Sequence, residues 1–233
     1  MHIILSEILL QHQNKSHSIV EFDGNSEKLI SLDFTKNNAD LTEKIFNDID
    51  LFSEYISQKL EQSNAKFGIG GYLELREVYS RSNLFDNKKM DEEPRRLHLG
   101  IDIWGNADTK IFAPFDAVVH SFAFNNQNGD YGATIILQHQ LENFIFYTLY
   151  GHLALKNINH LFKGKSIKKG EYFANFGEPS ENGNWPPHLH FQIILDLESK
   201  EGDYPGVCSL SDKEKYAFNC PNPNLILQLN QFI

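Results

Sequence analysis

The chain has 233 residues, 22% of them charged, and a formal net charge of −10. Its hydrophobic content of 41%, with 18 Phe and nine Tyr residues, is enough for a packed core and excludes a disordered chain. Acidic residues number 31 and basic residues 21, which argues against nucleic acid as a partner. No apolar run approaches the roughly 20 residues that cross a bilayer, so no membrane span is expected.

Residues 1–66 are predicted to form an N-terminal extension with strands and one amphipathic helix. Short strands and turns are expected up to about residue 37, around the turn sequence Asp23-Gly24-Asn25. Asp40 is the expected cap of a helix at about 40–61. There the apolar residues recur every three or four positions, namely Leu41, Ile45, Ile49, Phe52, Ile56 and Leu60.

Residues 67–233 are predicted to form a β domain that ends in a wrapping C-terminal tail. An exposed loop is expected at 86–96. After it, segments rich in β-branched and aromatic residues predict strands at 112–124, 131–139, 144–150 and 188–195. The predicted fold class is therefore mostly β, an antiparallel sandwich or barrel-like core behind a helix-bearing extension.

The cysteines and the N-terminus bear on the cellular compartment. Cys208 and Cys220 lack the spacing of a zinc clip, and one disulfide or two reduced thiols would fit them equally well. Residues 1–7 have no basic segment before a long apolar run, so they do not resemble a secretory signal. A cytoplasmic protein is predicted, and an exported protein whose signal is absent from this sequence is the alternative.

Three short motifs place histidines at or near the ends of predicted strands. In His98-Leu99-Gly100-Ile101-Asp102, an extended backbone puts the histidine and the aspartate on one face, where they form a natural ligand pair for a divalent metal. In His188-Leu189-His190, the two imidazoles share the face opposite the leucine. His152 ends an apolar strand, from which it can reach into a cleft. Each motif alone is also common without any function.

Together the three motifs resemble the zinc metalloendopeptidases of the lysostaphin and LytM type, over about residues 97–195. Other segments fit the same pattern, namely Ala113–Val119 (with Ala117 at a usual glycine), Asp130-Tyr131-Gly132 and Gly164–Gly170. The resemblance implies the duplicated hybrid motif fold and one zinc ion. It further implies the roles of five residues: His98, Asp102 and His190 as zinc ligands, and His152 and His188 as the pair that handles protons and the oxyanion.

The implied activity is hydrolysis of peptide or amide bonds. Three protein ligands on a tetrahedral zinc leave one position for a water whose pKa falls to about 7. The wider family suggests peptidoglycan-type peptides as substrates, and a small amide metabolite is the alternative for a cytoplasmic protein. A non-catalytic metal- or ligand-binding module stays open, as does a phosphocarrier-like protein, against which the His98–Asp102 pair argues.

Two segments depart from the usual pattern of that family. The loop Gly177–Pro187 carries two consecutive prolines and Trp185, a residue that either packs or walls a substrate cleft. The segment Gly70–Tyr79 is dense in charged and aromatic residues. Such flanks resemble a branch without export signals that occurs beside aminotransferase modules. The roles of four residues stay open, namely Glu74, Arg76, Asn182 and Trp185; His120 and His139 are expected to be packed strand histidines.

Overall fold

The computed structural model describes residues 2–86 and 93–233. The N-terminal elements are α1 (His2–His12), β1 (Leu29–Leu32), α2 (Glu43–Asn47), α3 (Ile49–Ser63) and β2 (Phe67–Gly70). The later strands are β3 (Leu97–His98), β4 (Ile101–Trp104), β5 (Lys110–Phe112), β6 (Ala117–Asn125), β7 (Gly132–Leu141), β8 (Phe144–Leu153), β9 (Ser166–Ile167), β10 (Tyr172–Asn175), β11 (His188–Ile194) and β12 (Val207–Cys208). Two short helices follow, α4 (Lys213–Asn219) and α5 (Asn224–Leu227).

Eight strands form one large sheet in the order β1-β2-β4-β11-β8-β7-β6-β9. The outermost pair, β1 and β2, is parallel, and all other neighbours in this sheet are antiparallel. Two small sheets, β10–β5 and β12–β3, accompany it. The mostly β, mostly antiparallel fold class is therefore confirmed. β1 precedes residue 66 and β2 follows it, so the large sheet is continuous across this point, and a domain boundary there stays a prediction.

The predicted strands are present with shifted ends. The largest difference is at 112–124, predicted as one strand: there β5 ends at Phe112 and β6 begins only at Ala117. Pro114 lies in the gap and has no amide hydrogen to donate to a neighbouring strand. The exposed loop expected at 86–96 falls partly outside the described residues, which resume at Glu93.

Two apolar layers enclose β11, all seven residues of which are buried. Leu189, Phe191 and Ile193 belong to the main core cluster. On the other side, α3 contributes Phe52, and this ring lies 5.8 Å from that of Trp104, measured between centroids. The polar face of β11 is thus buried, with Trp104 on His188 and the C-terminal residues Pro205 and Cys220 at Gln192.

The predicted helix at 40–61 is present but divided. Asp48 ends α2 and caps α3, since its Oδ1 accepts hydrogen bonds from the backbone amides of Asp50 (3.0 Å) and Leu51 (3.1 Å). The expected cap at Asp40 was therefore wrong. Its carboxylate instead accepts a hydrogen bond of 2.8 Å from Lys59 Nζ.

The strands and turns expected before residue 37 were wrong for His2–His12, which form α1. The apolar residues of this run follow neither a helical nor a strand period, and such a run does not distinguish the two structures. The C-terminal tail also contains helices, α4 and α5, that no sequence period indicated. Cys208 and Cys220 are both buried and free. Among the described residues, no helix combines the length and apolarity needed to cross a membrane.

Candidate metal centre and flanking histidines

The register of three central strands assembles the site. In the β4–β11 ladder Asp102 lies opposite His190, and Trp104 lies opposite His188. On the other side of β11, Gly151 of β8 pairs with His190. Directly opposed residues of an antiparallel pair have close Cβ atoms, so residues distant in sequence meet on one face of the sheet.

Gly100 lets His98 approach this face. It separates β3 from β4, and a Cβ added at this position would lie 2.5 Å from His190 Cε1 and 2.8 Å from the carbonyl oxygen of Phe191. Any larger residue would therefore push His190 away from the neighbouring motif. The glycine of the first motif is required for close approach of the two histidines.

Three ligand atoms converge in a small triangle. His98 Nε2 lies 2.9 Å from His190 Nδ1, and each of these nitrogens lies 3.2 Å from Asp102 Oδ1. All three side chains are buried, and together they form a group able to hold a metal ion. The three residues that the resemblance implied as ligands are thus brought together.

Hydrogen bonds at the far side of each ring determine which nitrogen faces the triangle with a lone pair. His98 Nδ1 lies 2.8 Å from the carbonyl oxygen of Gly71, to which it donates. His190 Nε2 lies 2.9 Å from Gln192 Oε1, and the amide orientation of Gln192 is fixed because its Nε2 donates to the Pro205 carbonyl at 3.1 Å. Both histidines therefore present unprotonated nitrogens to one another and to Asp102, an arrangement that suits a cation.

This donor set fits a zinc ion. Zinc takes imidazole and carboxylate ligands at about 2.0–2.2 Å, so a tetrahedral site separates its ligand atoms by about 3.3–3.6 Å, close to the triangle here. Desolvation lowers the pKa of His98 to about 4, with a further contribution from Arg76. Burial alone would raise the pKa of the Asp102 carboxyl. The nearby His98 and Arg76 have the larger, opposite effect and hold this pKa well below its usual range. His98 and Asp102 are thus unprotonated near neutral pH, as metal binding requires.

His152 lies beside the triangle on a β-bulge. Between Ala133 and Ile135 the β7–β8 register shifts, and His152 takes a positive φ of 62°. A bulge re-aims side chains, and a left-handed backbone at a non-glycine residue costs free energy that the surrounding fold must supply. The ring centroid of His152 lies 6.4 Å from that of His190, which places the side chain at the candidate centre.

His188 forms a second imidazole pair with His152, their ring centroids 4.1 Å apart. The Nδ1 atom of His152 donates to the carbonyl of Asn182 (2.7 Å), and that of His188 donates to the carbonyl of Pro186 (2.8 Å). Burial lowers the pKa of His188 to about 4 and that of His152 well below its usual value. Both rings are therefore neutral at pH 7, with an Nε2 lone pair available.

Two aromatic residues near the candidate centre were not assigned from the sequence. Trp104 stacks on the ring of His188, with centroids 3.9 Å apart and planes 12° apart. Trp104 is two residues after Asp102 on the same strand, so the period of a strand was the signal that could have found it. The other residue is Tyr79, whose hydroxyl accepts a hydrogen bond of 3.2 Å from Arg76. No sequence pattern indicated its position in the site.

The other predicted residues have these positions. Asn182 contributes its backbone carbonyl to His152, while its side chain donates to the carbonyls of Gly177 and Trp185 and so holds the loop. Trp185 is only 4% exposed. His139 is a buried strand histidine as expected, since its ring contacts the Asp116 carbonyl and Thr148 Oγ1 and lies outside the triangle.

A cavity of about 170 Å³ opens beside the triangle. Its wall includes His152 and His190, together with rings of Tyr79, Tyr131 and Trp185. Asp130 also lines it, and burial raises the pKa of this carboxyl to about 6. Aromatic walls and a few polar groups next to unprotonated histidines are typical of a ligand-binding cleft.

A family profile matches the part of the chain that holds the triangle. Residues 96–201 match the profile of peptidase family M23, and no curated protein matches the chain. Among solved structures, a zinc containing peptidase from Vibrio cholerae is 23% identical, with a TM-score of 0.35, over 48% of this chain and 31% of that one. The catalytic domain of the antimicrobial peptidase lysostaphin from Staphylococcus simulans is 19% identical, with a TM-score of 0.35, over 52% of this chain and 80% of that one.

A third similar structure is the catalytic domain of a prophage-encoded M23 protein, EnpA, from Enterococcus faecalis. It is 18% identical, with a TM-score of 0.36, over 52% of this chain and 88% of that one. The profile match contains the whole triangle and both flanking histidines. The resemblance inferred from the sequence motifs is thereby confirmed for residues 96–201, which match the model of peptidase family M23.

Proposed function

We propose that this protein is a zinc-dependent hydrolase that cleaves peptide bonds in peptidoglycan-type peptides. The observation that carries the proposal is the triangle of unprotonated donor atoms, at 2.9–3.2 Å from one another, beside two imidazoles with available Nε2 atoms. The match of residues 96–201 to a peptidase family supports the same reaction class.

Zinc would be held by His98 Nε2, Asp102 Oδ1 and His190 Nδ1. When bound, this ion supplies Lewis acidity toward the scissile carbonyl and lowers the pKa of a water molecule. The three protein ligands carry one negative charge in total, so the centre keeps a net positive charge for that purpose.

His152 and His188 would move the protons. Both begin neutral at pH 7, so Nε2 of either ring can accept a proton from the attacking water and later donate one to the leaving amine. The carbonyls of Asn182 and Pro186, which accept from the Nδ1 atoms, stabilise the imidazolium formed in between. Because the ring centroids are 4.1 Å apart, repulsion disfavours a charge on both rings, and we expect one proton to be held at a time.

The size of the cavity favours a second candidate, an amidohydrolase that acts on a small amide. Its volume of about 170 Å³ admits only a short part of a peptide between the aromatic walls. The chemistry proposed for the five side chains is the same in both cases. Only the length of the preferred substrate differs.

The test is a cleavage screen with the purified full chain. Protein stripped with a chelator and protein reloaded with Zn²⁺ are incubated with oligoglycine peptides, peptidoglycan fragments and short acyl-amino amides, and products are identified by mass spectrometry. We expect cleavage only after reloading. Tight zinc binding without cleavage of any substrate would instead favour a non-catalytic binding module, and a chain that binds no zinc would refute the proposal outright.

A further inference from the structure

A segment N-terminal to the family match lies against the triangle of candidate ligands. Residues 71–76 run beside β3: Leu73 N donates to the His98 carbonyl (2.8 Å), and His98 N donates to the Glu74 carbonyl (3.0 Å). Arg76 N continues the ladder with a bond of 2.9 Å to the Arg96 carbonyl. A backbone bonded on both sides of a candidate ligand holds that ligand in place.

Arg76 is the side chain of this segment that reaches the site. It is only 2% exposed, and its guanidinium meets four acceptors: Asp102 Oδ2 at 2.5 Å, Glu74 Oε2 at 2.6 Å, the Tyr79 hydroxyl at 3.2 Å and the Gly71 carbonyl at 3.4 Å. Its carbon Cζ also lies 4.9 Å from the centre of the Phe34 ring. A planar guanidinium can serve several acceptors at fixed angles, which an ammonium group cannot.

The two carboxylate oxygens of Asp102 have different partners. Oδ2 is occupied by Arg76, while Oδ1 faces the nitrogens of His98 and His190. A carboxylate in this position offers a metal ion one oxygen and not two. The Gly71 carbonyl adds a second link, because it accepts from both Arg76 and His98 Nδ1.

Stability alone gives no reason to bury this charge. An apolar replacement for a buried ion pair is often neutral or stabilising, because desolvation of two charges offsets their attraction. By Coulomb's law, a cation next to Asp102 also opposes binding of a second cation at Oδ1. A role in orientation accounts for both the burial and the position of the arginine.

We infer that Arg76 is a positioning residue of the metal centre, which holds Asp102 as a one-oxygen ligand. This inference rests on the proposed function only in taking His98, Asp102 and His190 as metal ligands. It assigns a part of the site to residues outside the segment 96–201 that matches the family.

The experiment measures metal binding without substrate. Zn²⁺ affinity is determined by competition with a chromophoric chelator, and Co²⁺ is used as a spectroscopic probe of coordination. We expect Arg76→Met to weaken Zn²⁺ binding by about 10- to 100-fold, as loss of an orienting partner does. In Arg76→Met both oxygens of Asp102 are free to bind the metal, so the coordination number of Co²⁺ should rise. The visible absorption of the Co²⁺ form should therefore be weaker than in the wild type. Arg81→Met is the matched control, because Arg81 is a partly buried arginine that stacks on Trp185 at 4.7 Å and contacts none of the three ligands.

Arg76→Lys and Glu74→Gln cover the case in which Arg76→Met does not fold. The lysine keeps one donor for Oδ2 and should recover part of the lost affinity; Glu74→Gln loosens the arginine and should weaken binding by about threefold. Unchanged or tighter Zn²⁺ binding in Arg76→Met, or in both milder variants, would overturn the inference, because a purely electrostatic role predicts tighter binding. Wild-type protein that binds metal but cleaves nothing would refute the proposed function alone, and wild-type protein that binds no metal would refute both.

Discussion

The segment 96–201 and its two flanks contribute differently to the candidate site. The segment contains the three candidate ligands and the two histidines proposed to handle protons, brought together by the register of β4, β11 and β8. The flanks supply hydrogen-bond partners of these side chains. On the N-terminal side they are Gly71 and Arg76. On the C-terminal side, Pro205 bonds to the side chain of Gln192, which in turn bonds to His190. The proposed reacting groups therefore lie within residues 96–201, while several of their hydrogen-bond partners lie in parts of the chain that the family profile does not cover.

The largest effect is expected from removal of a ligand inside the segment. His190→Ala or Asp102→Ala leaves two donors in place of three, and Zn²⁺ affinity should fall by about three orders of magnitude, with turnover lost. Equilibrium dialysis followed by metal analysis measures the loss. His139→Gln is the control, since His139 is buried in the same sheet but contacts Asp116 and Thr148. Retention of tight zinc binding in either ligand variant would contradict the assignment.

Removal of a proton-handling histidine should affect turnover and spare the metal. His152→Ala or His188→Ala should lower kcat by about 10²- to 10⁴-fold, with zinc bound as in the wild type. The rings are 4.1 Å apart and share one proton-transfer path, so the double variant should lose little more than the worse single variant. Full turnover in either single variant, measured beside zinc content, would remove the proton-handling role.

The stability of the fold should depend on pH through the buried histidines. His139 is buried, and desolvation lowers its pKa to about 4, whereas an unfolded chain has a value near 6.5. Because the unfolded state binds the proton more tightly, the free energy of unfolding is highest above pH 6.5 and falls as the pH decreases toward 4. The loss from His139 reaches about 3 kcal/mol, at about 1.4 kcal/mol per pH unit.

Urea unfolding of metal-free protein at pH 7 and pH 4 tests this dependence. Burial also lowers the pKa values of His98, His152 and His188, which contribute in the same direction, so the comparison is made between the wild type and His139→Gln. The glutamine variant should lose less stability on acidification than the wild type. An identical loss in both would show that His139 does not titrate with folding.

The convergence of three side chains was easier to predict from the sequence than the bounds of the surrounding helices. His98, Asp102 and His190 belong to short motifs whose order is specific, so their convergence was predictable without coordinates. The helix α1 was not, because a short run of apolar residues without period fits either a helix or a strand. The break at Asp48 was also missed, since the apolar stripe continues across it and conceals the cap.

The orienting contacts depend on tertiary structure that no local pattern encodes. Arg76 and Asp102 are 26 residues apart and meet only because the segment after β2 returns along β3. Gln192 lies two residues after His190 on β11 and so shares its face, but its partner Pro205 lies in a loop with no strand period. Side-chain spacing gives the face on which a residue lies, and only the packed fold gives its neighbours.

The smallest effect is expected at Gln192, where the C-terminal flank meets the site. Gln192→Leu removes the acceptor of His190 Nε2, and the remaining neighbour is the Tyr131 hydroxyl at 3.4 Å. The imidazole then loses the bond that directs its Nδ1 lone pair toward Asp102, and Zn²⁺ affinity should fall by about tenfold. Chelator competition measures the change.

Gln192→Glu tests whether His190 needs only a hydrogen-bond acceptor at position 192 or the amide group itself. The carboxylate still accepts from His190 Nε2 and adds a negative charge near the centre, so zinc should bind at least as tightly as in the wild type. Cys220→Ser serves as the control, because Cys220 Sγ lies 3.2 Å from Gln192 Nε2 and a serine hydroxyl keeps an acceptor there. If Gln192→Leu binds zinc as the wild type does, the C-terminal flank has no part in orienting His190. The contrast between segment and flanks would then reduce to the N-terminal side alone.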